Sequence, residues 1–133
     1  MKIELKKDQS SYVLAGNSIY TEPINFTLNG HRHYQIVRNI EASTAQIFDR
    51  KNVQTQIHFE VGCRHKSMQE AQIQILNNAE LFSEIKGTLC LDIDEKHHFV
   101  LEQAIITEIA THSKGNASYI TYNILGGYLH ATK

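Results

Sequence analysis

Eight histidines, two cysteines and a cluster of carboxylates are the residues of this 133-residue chain with the most chemical reach. His31 and His33 flank Arg32, and on a strand an H-x-H pair points both imidazoles to one face. Cys63 and His65 repeat that spacing. Together the four form a Cys-His₃ set of a kind zinc accepts, with ligands at about 2.0–2.3 Å. Against a metal, polar residues belong after an Asn29-Gly30 turn for local reasons, and neither C-x-x-C nor H-E-x-x-H spacing occurs. The reading is therefore no metal and no cofactor, with His31, His33, Cys63 and His65 as the residues to examine. His97-His98 reads as part of a solvent-exposed turn.

Nucleophilic chemistry has less support. No Gly-x-Ser-x-Gly elbow is present, and no glycine-rich phosphate loop opens a helix. Cys63, shortly before a predicted helix and two residues from His65, has the setting in which a thiol pKa is lowered. A half-buried, inert cysteine is the competing account, and no catalytic residue is assigned. Asp92, Asp94 and Glu95 cluster at a strand end but lack the glycine and twelve-residue loop of an EF-hand, so a solvated turn is the reading. Gln54, Gln56 and Glu60 form one polar face of a long strand, a face that meets either solvent or a wet surface between subunits.

The elements that must position these residues are mostly strands. Apolar residues at 41% and charged residues at 20% are ordinary globular values, and the length suits one domain, residues 1–133, with a core that needs no metal or disulfide. A formal charge of −1 leaves no global basic field for nucleic acid. No apolar run reaches the roughly eighteen residues of a membrane span, and MKIELKKDQS reads as a first strand rather than a signal peptide. Cytoplasmic synthesis with both thiols reduced is expected.

One segment, Lys66 to Phe82, reads clearly as a helix, with Ser67 and Glu70 forming a capping box. Met68, Ala71, Ile75, Leu76, Ala79 and Phe82 fall on one face, which is expected to be buried. Gln72 is expected at the edge of that face, and Ile73 or Leu81 against a loop or a neighbouring subunit. Val53, Thr55, Ile57, Phe59 and Val61 alternate with Gln54, Gln56, His58 and Glu60, which is the pattern of an antiparallel sheet with one buried face. Similar runs occupy residues 2–6, 12–14, 88–94, 99–109 and 117–125. Asn29-Gly30 predicts a tight hairpin turn between strands at 24–28 and 34–40. Residues 41–51 read as a loop or short helical turn, and Gly126-Gly127 as a break before a tail. The expected fold is mainly β (α+β): an antiparallel β-sandwich or barrel with one packed amphipathic helix at about 67–82.

The order of these segments resembles small tail proteins of phages and phage-derived elements, of the tail-tube or tail-completion kind. The resemblance runs from Asn52-Val53 and Phe59-Glu60-Val61 through Ser67, Ala71 and the helix to Ile85-Lys86-Gly87-Thr88-Leu89. It continues through Ala104 and Gly115-Asn116-Ala117-Ser118 to Tyr122-Asn123-Ile124-Leu125-Gly126-Gly127. It covers about residues 50–129 and implies a sandwich or barrel with a flanking helix, no catalytic residue, and assembly into rings or tubes. The expected function is thus a non-enzymatic structural or assembly subunit of a phage or prophage-derived tail-like particle. Its partners would be copies of itself and other tail-like proteins, with residues 42–51 or the Gly126-Gly127 tail as an arm. The alternative is a small-molecule or carbohydrate binding module that uses an open sheet face, with Tyr12, Tyr20, Tyr34 and Tyr128 as its aromatics.

Overall fold

A computed structural model describes residues 1–16, 20–38, 45–80 and 86–132, with backbone alone for 33–35, 37, 38, 45–52 and 78. In chain order the elements are β1 (Lys2–Lys7), β2 (Ser10–Ala15), β3 (Ile24–Arg38), β4 (Ala45–Arg64), α1 (Met68–Glu80), β5 (Gly87–Asp92), β6 (His98–Lys114), β7 (Ala117–Gly126) and β8 (Leu129–Thr132). The strands form one antiparallel sheet in the order β2-β1-β5-β6-β7-β4-β3, with β8 also paired to β6. The fold is mainly β with one helix among the described residues, as the alternation of apolar residues predicts.

β6 is the strand on which the sheet folds over. Its first residues pair with β5 on one side and β8 on the other, while Ile105 onward pairs with β7. Between the two parts Gln103 has a positive φ of 51° and the register against β5 shifts by one residue, so a bulge makes the bend. Gly126 lies opposite this corner, where a Cβ would overlap the Leu101 side chain. β7 does not end in a tail there. Gly127 N–H donates to the Glu102 carbonyl, Glu102 N–H donates to the Tyr128 carbonyl, and the chain continues as β8.

The two halves of the folded sheet share one core. Ile3, Leu5, Leu14, Leu89, Leu91 and Leu101 from one half meet Ile57, Phe59, Val61, Ile106, Ile120, Tyr122 and Ile124 from the other. The predicted alternation holds along β4 and β7, where Thr55 to Cys63 and Ser118 to Ile124 are buried at every second position. Within one half, on adjacent strands, Phe59 lies 5.2 Å from Tyr122 and 6.3 Å from Phe26, ring centre to ring centre. Phe26 reaches this row because of a bulge at Asn25, whose φ is 55°. The bulge separates Ile24, exposed beside Glu60, from Phe26 and Leu28, so the strict alternation expected over Ile24, Phe26 and Leu28 is interrupted.

Asn29-Gly30 does not turn the chain. Both residues sit inside β3, opposite Gln56 and Thr55, and Gly30 is not among the glycines with positive φ. The turn signal loses to the length of β4, which supplies ladder partners continuously and so offers more backbone hydrogen bonds than an early reversal would. The segment expected as loop over 41–51 is strand from Ala45 onward, while residues 41–44 lie outside the described part. β7 stops opposite Thr55, yet the β3–β4 ladder runs on to Arg38 and Ala45. From Gln54 outward the hairpin is therefore a two-stranded ribbon, roughly 30 Å long at the usual strand rise.

Candidate functional site

Of the four residues singled out as metal candidates, His31 does not meet Cys63 and His65 within one chain. His31 is exposed on β3 opposite Gln54, nine residues before Cys63 on β4, which places the two roughly 30 Å apart along the strand. The side chain of His33 lies outside the described part. Cys63 and His65 are close, with Sγ 3.9 Å from Nδ1, and His65 Nε2 is 2.8 Å from Ser118 Oγ. This row has the order of a nucleophile, a base and an orienting group, but Ser118 is fully buried and its partner's neighbour is a thiol rather than a carboxylate. Burial raises the Cys63 thiol above its ordinary value, the opposite of the activation that a helix start would bring. Cys63 belongs to the end of a strand rather than to the first turn of α1. Cys90 is likewise raised by burial, and the two cysteines form no disulfide. Among the described residues no three His, Cys, Asp or Glu side chains converge.

The acidic turn is self-contained. The Asp94 carboxylate accepts the backbone N–H of Lys96 and of His97, each at 2.8 Å, and bonds the His97 ring. These contacts lower its pKa, the Lys96 N–H most of all. His98 Nδ1 lies 2.7 Å from Asp92 Oδ1 and its Nε2 3.1 Å from the Glu95 carbonyl, and both contacts raise its pKa. These bonds tie the carboxylates of Asp92 and Asp94 to groups within the turn itself.

Two surfaces remain that can do work. The first is the outward face of β3, β4, β7 and β6, where polar side chains are bonded to one another across strands. His58 Nδ1–H donates to Asn123 Oδ1 at 2.6 Å, and Asn123 Nδ2 donates to Glu108 Oε2 at 3.2 Å. Beside them Glu60 pairs with Thr121, Gln56 with Leu125, and His112 stacks on Tyr119 at 4.9 Å. This is the polar face anticipated from Gln54, Gln56 and Glu60.

The second surface is apolar and has two parts. Where β5 ends and β6 begins, the core opens as a groove of about 230 Å³ lined by Met1, Phe26, Leu28, Leu91, Ile93, Phe99 and Leu129. Sequence reasoning missed it, because its lining comes from the ends of elements that are distant along the chain. Helix α1 lies against β6 and β7. Its cap is the predicted box with one change: Glu70 N–H donates to Ser67 Oγ at 3.2 Å, while the Glu70 carboxylate accepts from Lys66 N–H at 3.1 Å rather than from Ser67. The helix buries Ala71 and half-buries Gln74 and Ile75, and Gln74 Nε2 donates to the Tyr20 hydroxyl at 2.5 Å. Met68, Leu76 and Ala79, expected in the core, are instead exposed; Met68 is 57% and Leu76 68% accessible, alongside Ile73 at 56%. Among the described residues the body meets the helix along the narrow Ala71–Ile75 edge, so the apolar stripe is wider than its seat. Gln72 is exposed and Phe82 lies outside the described residues.

No family model matches the sequence, and no curated protein matches it. Solved structures do share its architecture. A chain from the tail of an empty gene transfer agent particle, determined by helical refinement with C6 symmetry, superposes with a TM-score of 0.58 at 14% identity, covering 99% of this chain and 95% of that one. A chain from the virion of a native gene transfer agent particle gives 0.55 at 16% identity, with 98% and 95% covered. The likeness includes the N-terminal half, which the sequence pattern left outside the resemblance. At such identities the common property is the fold: from β1 to β8 this chain is folded as those gene transfer agent tail and virion chains are.

Proposed function

We propose that this chain is a single-domain, non-enzymatic structural subunit of a phage-like tail particle, assembling with copies of itself and with other tail proteins. The observation that carries the reading is the end-to-end fold likeness to chains of assembled tails and virions. The β3–β4 ribbon supports it. Two-stranded ribbons are marginally stable alone in water, so one that extends past its sheet has reason to lie against something, and residues 45–51 of the arm foreseen at 42–51 fall on it. The protein would be made in the cytoplasm and end in the particle. The test is negative-stain imaging of the concentrated full chain, with rings or tubes as the expected result. A monodisperse monomer by light scattering at the same concentration overturns the reading.

A small-molecule role has one observation in its favour, the groove. Among the described residues its lining contributes no polar side chain, whereas ligand sites combine apolar walls with a few placed polar groups. A carbohydrate would leave its hydroxyls unpaired there. Of the candidate aromatics, Tyr128 stacks on His130 at 5.2 Å and Tyr20 bonds Gln74. Neither lines the groove.

A further inference from the structure

On the outward face of the sheet the ladders set side chains in rows across β4, β7 and β6. Arg64, Ala117 and Lys114 stand opposite one another in the last row, and directly opposed residues of antiparallel strands share a face. The row before it holds Gly62, Tyr119 and His112. Gly62 and Ala117 are small, and they leave a depression of about 150 Å³ lined by Thr21, Gly62, Cys63, Arg64, Ala117 and Tyr119. The Tyr119 ring is held in place there: a Cβ on Gly62 would stand 3.4 Å from it, and His112 stacks on it at 4.9 Å. Lys114 completes the Arg64 row two strands away, at roughly 10 Å.

The side chains around this depression can donate. Arg64 offers guanidinium N–H groups, Lys114 an ammonium and Tyr119 a phenolic O–H. Thr21 Oγ1 accepts the Gly62 N–H at 3.0 Å, which leaves its own hydroxyl hydrogen to donate. Among the described residues no ion pair includes Arg64 or Lys114. Glu22, beside Thr21 in the chain, bonds the Met1 amino group at 2.9 Å. Glu70 lies against Lys66, whose N–H its carboxylate takes at 3.1 Å. Glu60 shares the outward face with Arg64 but stands four residues back along β4, roughly 13 Å away. Two cations and two hydroxyls about a small concavity match a group that only accepts, an oxyanion.

The rest of the face chooses between a carboxylate and a phosphate chain. A polynucleotide carries a charge at every nucleotide, and laid along the sheet it would bring phosphates against Glu60 and Glu108. One acidic side chain meets Arg64 and Lys114 and stops short of both. We propose that this depression takes the carboxylate of an Asp or Glu side chain presented by an acidic segment of a partner protein. Arg64 is the last residue of β4 and the ribbon is formed by its first ten, so the site is separate from the arm of the assembly reading and is present in a single copy.

The test uses the full chain, isotope-labelled, with fluorescein-tagged hexaglutamate as the probe. Binding is expected to shift the amide signals of Gly62, Arg64 and Tyr119. Arg64→Gln should weaken it about ten-fold, the scale of one lost charge-assisted hydrogen bond. Ala117→Leu, which fills the depression and leaves the charge unchanged, should weaken it as much. Neither position is buried, and both variants are expected to melt as wild type. Lys96→Gln removes the same charge from the β5–β6 turn and should change little. A loss by Lys96→Gln equal to that by Arg64→Gln means that binding follows net charge alone and overturns the inference. So does hexaglutamate that fails to bind, or that binds Ala117→Leu as it binds wild type. A single-stranded oligonucleotide that shifts the same amides and binds more tightly assigns the site to nucleic acid; inorganic phosphate that displaces the peptide at equal concentration assigns it to free anions. Either result overturns the inference as well.

Discussion

Individual residues in this protein are placed by what lies beside them more than by their type. Gly30 follows an asparagine and carries the strongest local turn signal in the chain, yet it sits in a strand with nothing within 4 Å of where a Cβ would stand. Gly30→Ala should therefore raise stability by about 0.5–1 kcal/mol, the usual gain for replacing glycine inside a strand. Chemical denaturation measures it, and a loss would mean that the position needs glycine's conformational freedom. Cys63 has a histidine nearby, but burial keeps its thiol protonated. In the folded protein it should react with a disulfide reagent at neutral pH only as fast as the chain opens, and at the rate of a free thiol once denatured. His98 is held above its ordinary pKa by Asp92 and the Glu95 carbonyl. Protonation in the folded state is thus favoured, so its contribution to stability is fully present below the unfolded value near 6.5. That contribution disappears as the pH rises through the raised folded value. An NMR titration should show the elevated His98 pKa, and Asp92→Asn should bring it down.

At the scale of the element, two features depend on particular contacts. The capping bond from Glu70 N–H to Ser67 Oγ satisfies one of the unpaired donors at the start of α1. Ser67→Ala should cost about 1 kcal/mol in a thermal or denaturant melt. The fold of the sheet over β6 depends on the close approach of Gly126 to Leu101. Gly126→Ala pushes a methyl group into a packed side chain and should cost about 1–3 kcal/mol, as overpacking generally does. An unchanged melt would mean that the corner is looser than its geometry. The capping box and the alternation along β4 and β7 were legible in the residues because each is a local pattern with a period of its own. The groove was not legible, since Met1, Leu28, Ile93 and Leu129 come together only when the sheet closes.

For the whole molecule the question is how the body and the ribbon divide the work. Among the described residues, every core residue of β3 and β4 lies on the body side of the His31–Gln54 pair. Replacing residues 32–53 by a two-residue turn should leave the circular dichroism and melting temperature of the body nearly unchanged while abolishing ring or tube formation in images. Loss of the fold would make the ribbon part of the domain rather than an arm. What the residues determined unaided was the class of fold: two-sided strands, one capped helix, and the alternation that chooses the inward face of each strand, all of which follow from backbone geometry within a few residues. Only the tertiary structure decided that Asn29-Gly30 stays extended, that α1 leaves Leu76 outside, and that His31 stands far from Cys63. Those outcomes depend on which distant segment arrives as a partner, and free energy gained across the whole ladder or core outweighs the preference of any two residues.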